Sequence, residues 1–333
     1  MAFTWTPPPP RARGSVSAPD LTTWLRTHEA APGAEVARAR LAFMELEGTA
    51  RFLRGLQGLS SVRPRVLITA QVSGRWSTAE PPLAGLPRQL KKDILAGRGI
   101  IGPAYGTFWT AMDMEAIEGR LAATYAQEWR DLSVFAKGGD LHCETAQDIF
   151  GEPITYDDPR RFIAKLTRYN LLYAYDARGI LDAPDYAVFG GRAKALAFAH
   201  RFLAIRPALT AAKQRVFAEC QRTHQARSAF GRLRHLTGDA KTQAKDGWSH
   251  TIAGTVSSMM NRLLLKWLAI DPNARIILNQ HDGCILSWPA TRDRQEILNT
   301  CRAIADEPWT VWGQEMVAPT QWDVIEYGYG DHE

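Results

Sequence analysis

Residues 107–120 read TFWTAMDMEAIEGR. An apolar, aromatic run through Phe108, Trp109 and Met112 leads into one carboxylate, Asp113. An amphipathic pattern follows at once, with Ile117, Leu121 and Tyr125 on one side and Glu118 and Arg120 elsewhere. The run predicts a strand over 107–113 and the pattern predicts a short helix. A strand that ends in an acid and turns into a helix presents the acid at a sheet edge, facing a cleft. Such an edge suits a divalent cation. One Asp does not make a metal site, so its partners must come from elsewhere in the chain.

The 333 residues suffice for one large or two ordinary domains with a real core. With 45% hydrophobic and 23% charged residues, the composition is that of a globular protein. No apolar run reaches the roughly 18 residues of a membrane span, so no membrane partner is expected. The start, MAFTWTPPPPRARG, lacks an apolar signal-peptide core, and a cytoplasmic location is expected. Cys143, Cys220, Cys284 and Cys301 are far apart and form no CxxC pair, which reads as free thiols without a zinc site. Net charge is +5. Its distribution is uneven. From Arg192 to Lys245 the chain carries Arg201, Arg206, Lys213, Arg215, Arg222, Arg227, Arg232 and Arg234 with few acids between them. A one-sided basic excess of this length favours phosphate contact.

The Pro-rich start reads as an extended arm, Asp20–Leu25 as a capped helix start, and Val36–Leu56 as a longer helix. Arg65–Val72 reads as a strand running into a loop, SGRWSTAEPPLAGLP. Gly138-Gly139 is a break, and His142 sits just inside the next helix. Asp158 followed by Pro159 announces another helix, which Gly179 stops. Helical patterns follow over Arg192–Arg227, then a hairpin-like SAFGRLRHLTGD, then a helix over Ser249–Leu268. Near the end, RIILNQHDGCILSW places Asp282-Gly283 between two β-rich runs, the strongest short hairpin signal. TQWDVIEYGYG closes the chain with a last β-rich piece.

Two groups can join Asp113. On the helix after Pro159, Arg161, Lys165, Tyr169 and Tyr173 recur every four residues and form one slowly drifting stripe. Two cations followed by two aromatics suit a chain of phosphates at one end and a flat base or sugar at the other; a solvated helix with half-buried tyrosines gives the same pattern. Asp282, in a tight turn, reads alone as turn chemistry. Set beside Asp113 and the cationic helix, it completes the requirements of two-metal phosphoryl transfer.

In order and spacing these motifs resemble the family A DNA polymerases, the DNA polymerase I type. DMEAIEGR resembles the family's motif A, DYSQIELR, with Asp113, Ile117, Glu118 and Arg120 in register. RFIAKLTRYNLLYA resembles motif B, Arg-x3-Lys-x7-Tyr-Gly, with Ala174 where Gly is usual, and NQHDG resembles motif C, VHDE. GGDLHCETA, SGRWSTAEPPLAGLP, SAFGRLRHL and AGT are similar to further family segments, so that the resemblance runs from about residue 40 to the end.

The resemblance implies an α+β fold: a right-hand polymerase palm built on an antiparallel sheet, with helical fingers and a vestigial or absent thumb. It divides the chain into an arm and short helix at 1–35, the first part of the palm with a vestigial thumb helix at 36–122, fingers at 123–248 and the rest of the palm at 249–333. Asp113 and Asp282 are implied as ligands of two Mg2+ ions, with Mn2+ able to substitute. Arg161, Lys165 and His142 are implied to hold the dNTP triphosphate, Lys165 also to protonate the leaving pyrophosphate. Tyr173 stacks near the nascent base pair, Tyr169 lies on the nucleotide, and Glu118 excludes a 2′-hydroxyl. Arg75 contacts the primer-terminal minor groove, His281 lies beside the primer end, and Arg232, Arg234 and Lys245 contact DNA. The implied partners are primer–template DNA and dNTPs. Motif C has Gly283 where an acid is usual. Pro82, Ala84, Gly85 and Ala253 replace family residues that touch the duplex. The short segment ahead of these motifs leads to an expectation of no proofreading exonuclease and of low processivity, with a partner protein supplying a thumb. The alternatives are a single-subunit RNA polymerase or primase, a terminal transferase, and a non-catalytic nucleic-acid-binding scaffold. Glu118 speaks against the first. The intact Asp113, Asp282, Arg161 and Lys165 speak against the last.

Overall fold

Hydrophobic periodicity turns into helix and strand along most of the chain. Helices α1 (Ala18–Thr27) and α2 (Ala34–Leu56) precede a small hairpin of β1 (Arg65–Leu67) and β2 (Ser77–Ala79). Strand β3 (Thr107–Met114) leads into α3 (Ile117–Ala126), α4 (Trp129–Ala136), α5 (Leu141–Phe150) and α6 (Arg160–Tyr173). Two short 3-10 turns separate α6 from α7 (Arg192–Ala204) and α8 (Pro207–Thr223). A hairpin of β4 (Gln225–Arg227) and β5 (Leu233–His235) is followed by α9 (Ala240–Leu268), β6 (Arg275–Gln280), β7 (Gly283–Pro289) and α10 (Arg294–Ala305). The hairpin of β8 (Trp309–Val311) and β9 (Gln314–Met316) and the strand β10 (Thr320–Ile325) complete the chain. This computed structural model describes residues 18–27, 31, 33–57, 59, 61–68, 71–80, 101–182 and 186–325. The Pro-rich arm at 1–17, the segment with Pro82, Ala84 and Gly85, and the closing YGYG lie outside the described residues.

The central sheet is antiparallel throughout, in the order β10-β3-β7-β6. Alternation along β3 sorts its side chains into two sets. Phe108, Met112 and Met114 face the main core, where Trp248, Trp267 and Trp288 are fully buried. Each of these indoles donates to an oxygen: Trp288 to Thr110 Oγ1 at 2.9 Å, Trp267 to Cys301 O at 3.1 Å and Trp248 to Leu172 O at 2.9 Å. Trp109 points the other way and packs with Ile285, Leu278 and Ile325 under Phe52 of α2. By the same alternation Asp113 lies on this second face, at the sheet's open end.

The structure moves several expected boundaries. The strand expected over 65–72 closes at Leu67. The pattern over 192–227 breaks into two helices because Pro207 has no N–H to continue α7, and it takes the first position of α8. Helix α9 begins at Ala240 instead of Ser249, because Asp239 accepts from the Thr242 N–H at 2.7 Å. The expected divisions at 122/123 and 248/249 therefore fall inside continuous helices, α3 and α9. The expected turn at Asp282-Gly283 is displaced by one residue. Gln280 pairs with Gly283, so the loop residues are His281 and Asp282.

Beyond the sheet, α4 to α8 are tied by a buried charge network. Asp131 of α4 accepts from Arg168 of α6 and, at 2.9 Å, from Arg206 ahead of α8. Arg206, fully buried, also donates to Glu144 of α5 at 2.9 Å. Glu128 is buried and accepts from both the Arg130 and Leu209 N–H groups at 3.4 and 3.1 Å, capping two helices with one carboxylate. Removing one member of such a network leaves charge without a partner away from water. Asp131→Ala is expected to cost about 3–5 kcal/mol, read as a lower urea midpoint; an unchanged midpoint would show that the network contributes no stability.

Candidate active site

The two acids of interest stand on adjoining backbone. Asp113 pairs with Gly283 across β3 and β7, and the Met114 N–H donates to the Asp282 carbonyl at 2.9 Å. The β6–β7 loop turns so tightly because His281 takes a left-handed φ of 59°. Gly283 is needed for contact and not for turning. A methyl group there would stand 2.7 Å from the Met112 carbonyl oxygen and 2.9 Å from Asp113 Oδ1. A larger side chain at this position would meet the same two atoms. Directly after β3, Ala116 takes a left-handed φ of 48°, and this sharp turn sets Glu118 in the first turn of α3, anchored by the fully buried Ile117 and Leu121.

Helix α6 faces these acids. Asp158 Oδ1 accepts from the Arg160 N–H at 2.8 Å and starts the helix. Ala164, Thr167, Arg168 and Leu171 are buried, leaving Arg161, Lys165, Tyr169 and Tyr173 as a half-buried stripe. Burial raises the pKa of the Tyr169 phenol, and the nearby charges of Glu118, Asp282 and Asp113 raise it further. One side chain of the stripe thus feels both strand acids and the acid of α3. Tyr173 is shifted the same way, by burial and then by Glu118. Its hydroxyl lies near Glu118 but is buried without a hydrogen bond of acceptable geometry among the described residues. Glu118 instead pairs with Arg75 from the loop before β2. Arg75 Nε is itself buried without a hydrogen-bond partner among the described residues.

At the other end of the stripe, Asp140 caps α5, accepting from the His142 and Cys143 N–H groups at 2.7 and 2.8 Å. Its second oxygen holds Arg161 at 2.5 Å, and the Arg161 guanidinium lies 4.1 Å over the Tyr156 ring. Lys165 Nζ is 5.9 Å from the Tyr169 ring centre, and His142 is 5.7 Å from it. Burial pushes the His142 imidazole down to about 3; Asp140 opposes this, while Lys165, Arg168 and Arg161 add to it. The ring is neutral at pH 7, with Nδ1 buried and unpartnered among the described residues.

The structure therefore brings Asp113, Asp282, Glu118, Arg75, His142, Arg161, Lys165, Tyr169 and Tyr173 to one region. Arg232 approaches the same rim, its guanidinium packed where a Gly74 side chain would project. His281 and Lys245 are exposed. Arg234 is paired with Asp246 of α9. The basic run is not one continuous phosphate surface, because Arg206 and Lys213 are buried in the interior. Sequence reasoning missed Asp140 as the partner of Arg161 and Arg75 as the partner of Glu118. The first had a signal, an Asp immediately before a helix. The second joins residues 43 apart and had none.

Of the carboxylates in the cleft, Asp113 and Asp282 stand side by side, while Glu118 is paired with Arg75. Among the described residues no three His, Cys, Asp or Glu side chains are arranged to hold a metal. The donor set still fits Mg2+, which typically takes one or two carboxylates and completes its shell with substrate phosphates and water.

The fold is that of a polymerase domain. It superposes on the POL domain of Pol1 from M. smegmatis, solved in complex with DNA primer-template and dNTP, with a TM-score of 0.75, covering 95% of this chain and 56% of that one at 18% identity. The chain belongs to DNA polymerase family A, whose sequence profile matches residues 44–307. DNA polymerase I of Helicobacter pylori is 26% identical over 226 residues, 65% of this chain and 25% of that protein. The thermostable DNA polymerase I of Thermus aquaticus is 27% identical over 235 residues, 67% of this chain and 28% of that protein. The chain spans about a quarter of the length of the curated relatives it matches.

Two outcomes follow from this geometry. Gly283→Ala forces β7 away from β3 and is expected to cost about 1–3 kcal/mol in chemical denaturation; wild-type stability would mean that the strands separate freely. His142 binds its proton more weakly folded than unfolded, so stability is complete above the unfolded value near 6.5 and falls as pH drops from there toward about 3. His142→Asn is expected to flatten that acid limb in a pH series of melting temperatures, and an unaltered limb would contradict the burial of a neutral ring.

Proposed function

We propose that this chain is a template-directed DNA polymerase that adds dNTPs to the 3′-hydroxyl of a primer on primer–template DNA. The observation that carries the reading is the apposition of Asp113, near the end of β3, and Asp282, in the adjoining β6–β7 loop, with the cationic and aromatic stripe of α6. In this reading the sheet with its covering helices is the palm, and the segment from Gln127 to Asp239 forms the fingers. No described helix is long and apolar enough to cross a membrane; we assign the enzyme to the cytoplasm.

Asp113 and Asp282 would hold two Mg2+ ions, with Mn2+ able to substitute, and the bound ions would supply activation of the primer hydroxyl and charge neutralisation at the leaving pyrophosphate. The chain's own side chains do the remaining work. Arg161 leaves Asp140 for the triphosphate, exchanging one charge-assisted bond for others. Lys165 binds the same phosphates and gives its proton to the departing pyrophosphate. His142, neutral at pH 7, donates one ring N–H without adding charge. Tyr169 lies against the nucleotide and Tyr173 against the nascent pair. Glu118, fixed by Arg75, fills the space a 2′-hydroxyl would need. When Arg75 turns to the primer terminus, Glu118 loses that partner, so the two roles compete. Arg232, Lys245 and His281 line the path of the duplex, and Arg234 must break its pair with Asp246 to join them.

A labelled primer on a defined template, with Mg2+ and dNTPs, tests the reading. The wild type is expected to extend it as the template directs, with Asp282→Asn slower by on the order of 10³-fold. Glu118→Ala is expected to raise rNTP use relative to dNTP at least about tenfold. No extension, or extension indifferent to template sequence, contradicts the proposal.

A further inference from the structure

Helix α6 ends without the glycine that commonly lets a helix close in a left-handed turn. Ala174 follows its last residue with φ −66° and ψ 151°, so the backbone leaves extended. The terminal carbonyls then need partners from elsewhere. Asn170 O accepts from the Ala174 N–H at 2.9 Å. The carbonyls of Leu171, Leu172 and Ala174 are met by side chains of two different helices. Lys213 of α8 donates to Leu171 O at 3.0 Å and to Ala174 O at 2.8 Å. Trp248 of α9 donates to Leu172 O at 2.9 Å. The Ala174 methyl rests directly on Gly179, where any side chain would overlap it. The space that a motif glycine leaves open is thus filled, and the helix end is closed by a lysine.

Lys213 is buried, 4% exposed, yet carries its charge to the negative end of α6. Burial pushes its pKa down to about 8, against a smaller upward pull from Asp176, so the ammonium persists at neutral pH. A buried lysine is costly unless its hydrogen bonds repay desolvation. Here the carbonyls it holds flank Tyr173, the last residue of α6, whose buried hydroxyl lies near Glu118.

We propose that Lys213 is a positioning residue for Tyr173: it locks the last turn of α6 and so fixes the ring that closes the nucleotide site. The assignment of that ring to the nucleotide rests on the polymerase reading. The locking itself is independent of it.

Lys213→Met keeps the length of the side chain and removes its donors. In steady-state single-nucleotide extension it is expected to raise the KM for dNTP about ten- to hundredfold while kcat stays within about threefold. 3-Fluorotyrosine at position 173 supplies a second readout that needs no catalysis. Its 19F resonance is expected to shift or broaden in Lys213→Met, while the same label at the exposed Tyr105 keeps its position. Lys213→Gln, which retains an amide donor, is expected to fall between wild type and Met, and it carries the test if the Met variant loses its helical circular dichroism. A folded variant with wild-type KM and an unmoved Tyr173 resonance overturns the proposal. If the wild type extends no primer, the polymerase reading fails, and the 19F shift alone still decides the role of Lys213.

Discussion

Backbone pairing between β3 and β7 decides where Asp113 and Asp282 stand. The pairing sets Asp113 opposite Gly283 and ties Met114 to the carbonyl of Asp282, so both acids are placed by main-chain hydrogen bonds and not by flexible side-chain contacts. Gly283 permits the close approach, since a Cβ there would strike Met112 O and Asp113 itself. A third carboxylate at that position and the observed strand spacing exclude each other. The chain has the tighter pair, and a cation bound there must draw its remaining ligands from water and substrate.

The helices that face this pair form two differently held parts. Around Asp131, buried arginines from α6 and from the start of α8 fasten α4, α5, α6 and α8 to one another. Breaking such contacts one at a time exposes uncompensated charge, so these helices are expected to move together if they move at all. The arginines at the cleft are held by exchangeable pairs. Arg161 rests on Asp140, and Arg75 rests on Glu118. A polyanionic ligand offers stronger partners to both arginines, so binding can proceed by partner exchange at the cleft while the buried network stays intact.

Strand β3, helix α6 and the hairpin bearing Asp282 were legible in the sequence, because apolar periodicity, an Asp-Pro start and a short turn are local signals. The motif residues that the fold brings to one region, Asp113, Asp282, Glu118 and the α6 stripe, were legible as local patterns too. The turn was misplaced by one residue because Asp-Gly normally bends at the glycine. Here the left-handed residue is His281, and the glycine serves contact with β3. The β8–β9 hairpin was missed for a related reason, since Trp312 in a left-handed conformation is an unusual turn residue. The pattern of charges could not tell a solvated lysine from a buried one, and Lys213 and Arg206 both lie inside. Pairs such as Arg75–Glu118 and Arg206–Asp131 join distant residues and leave no local trace.

The central claim is that Asp113 and Asp282 together form a site for two cations that substrate completes. Mn2+ binding, followed by the loss of the free-ion signal in electron paramagnetic resonance, tests it most directly. The measurement uses primer–template and a non-hydrolysable dNTP analogue. The account predicts two ions per chain in the wild type and a loss of at least about tenfold in affinity for both Asp113→Asn and Asp282→Asn. Wild-type stoichiometry and affinity in the two variants would contradict it.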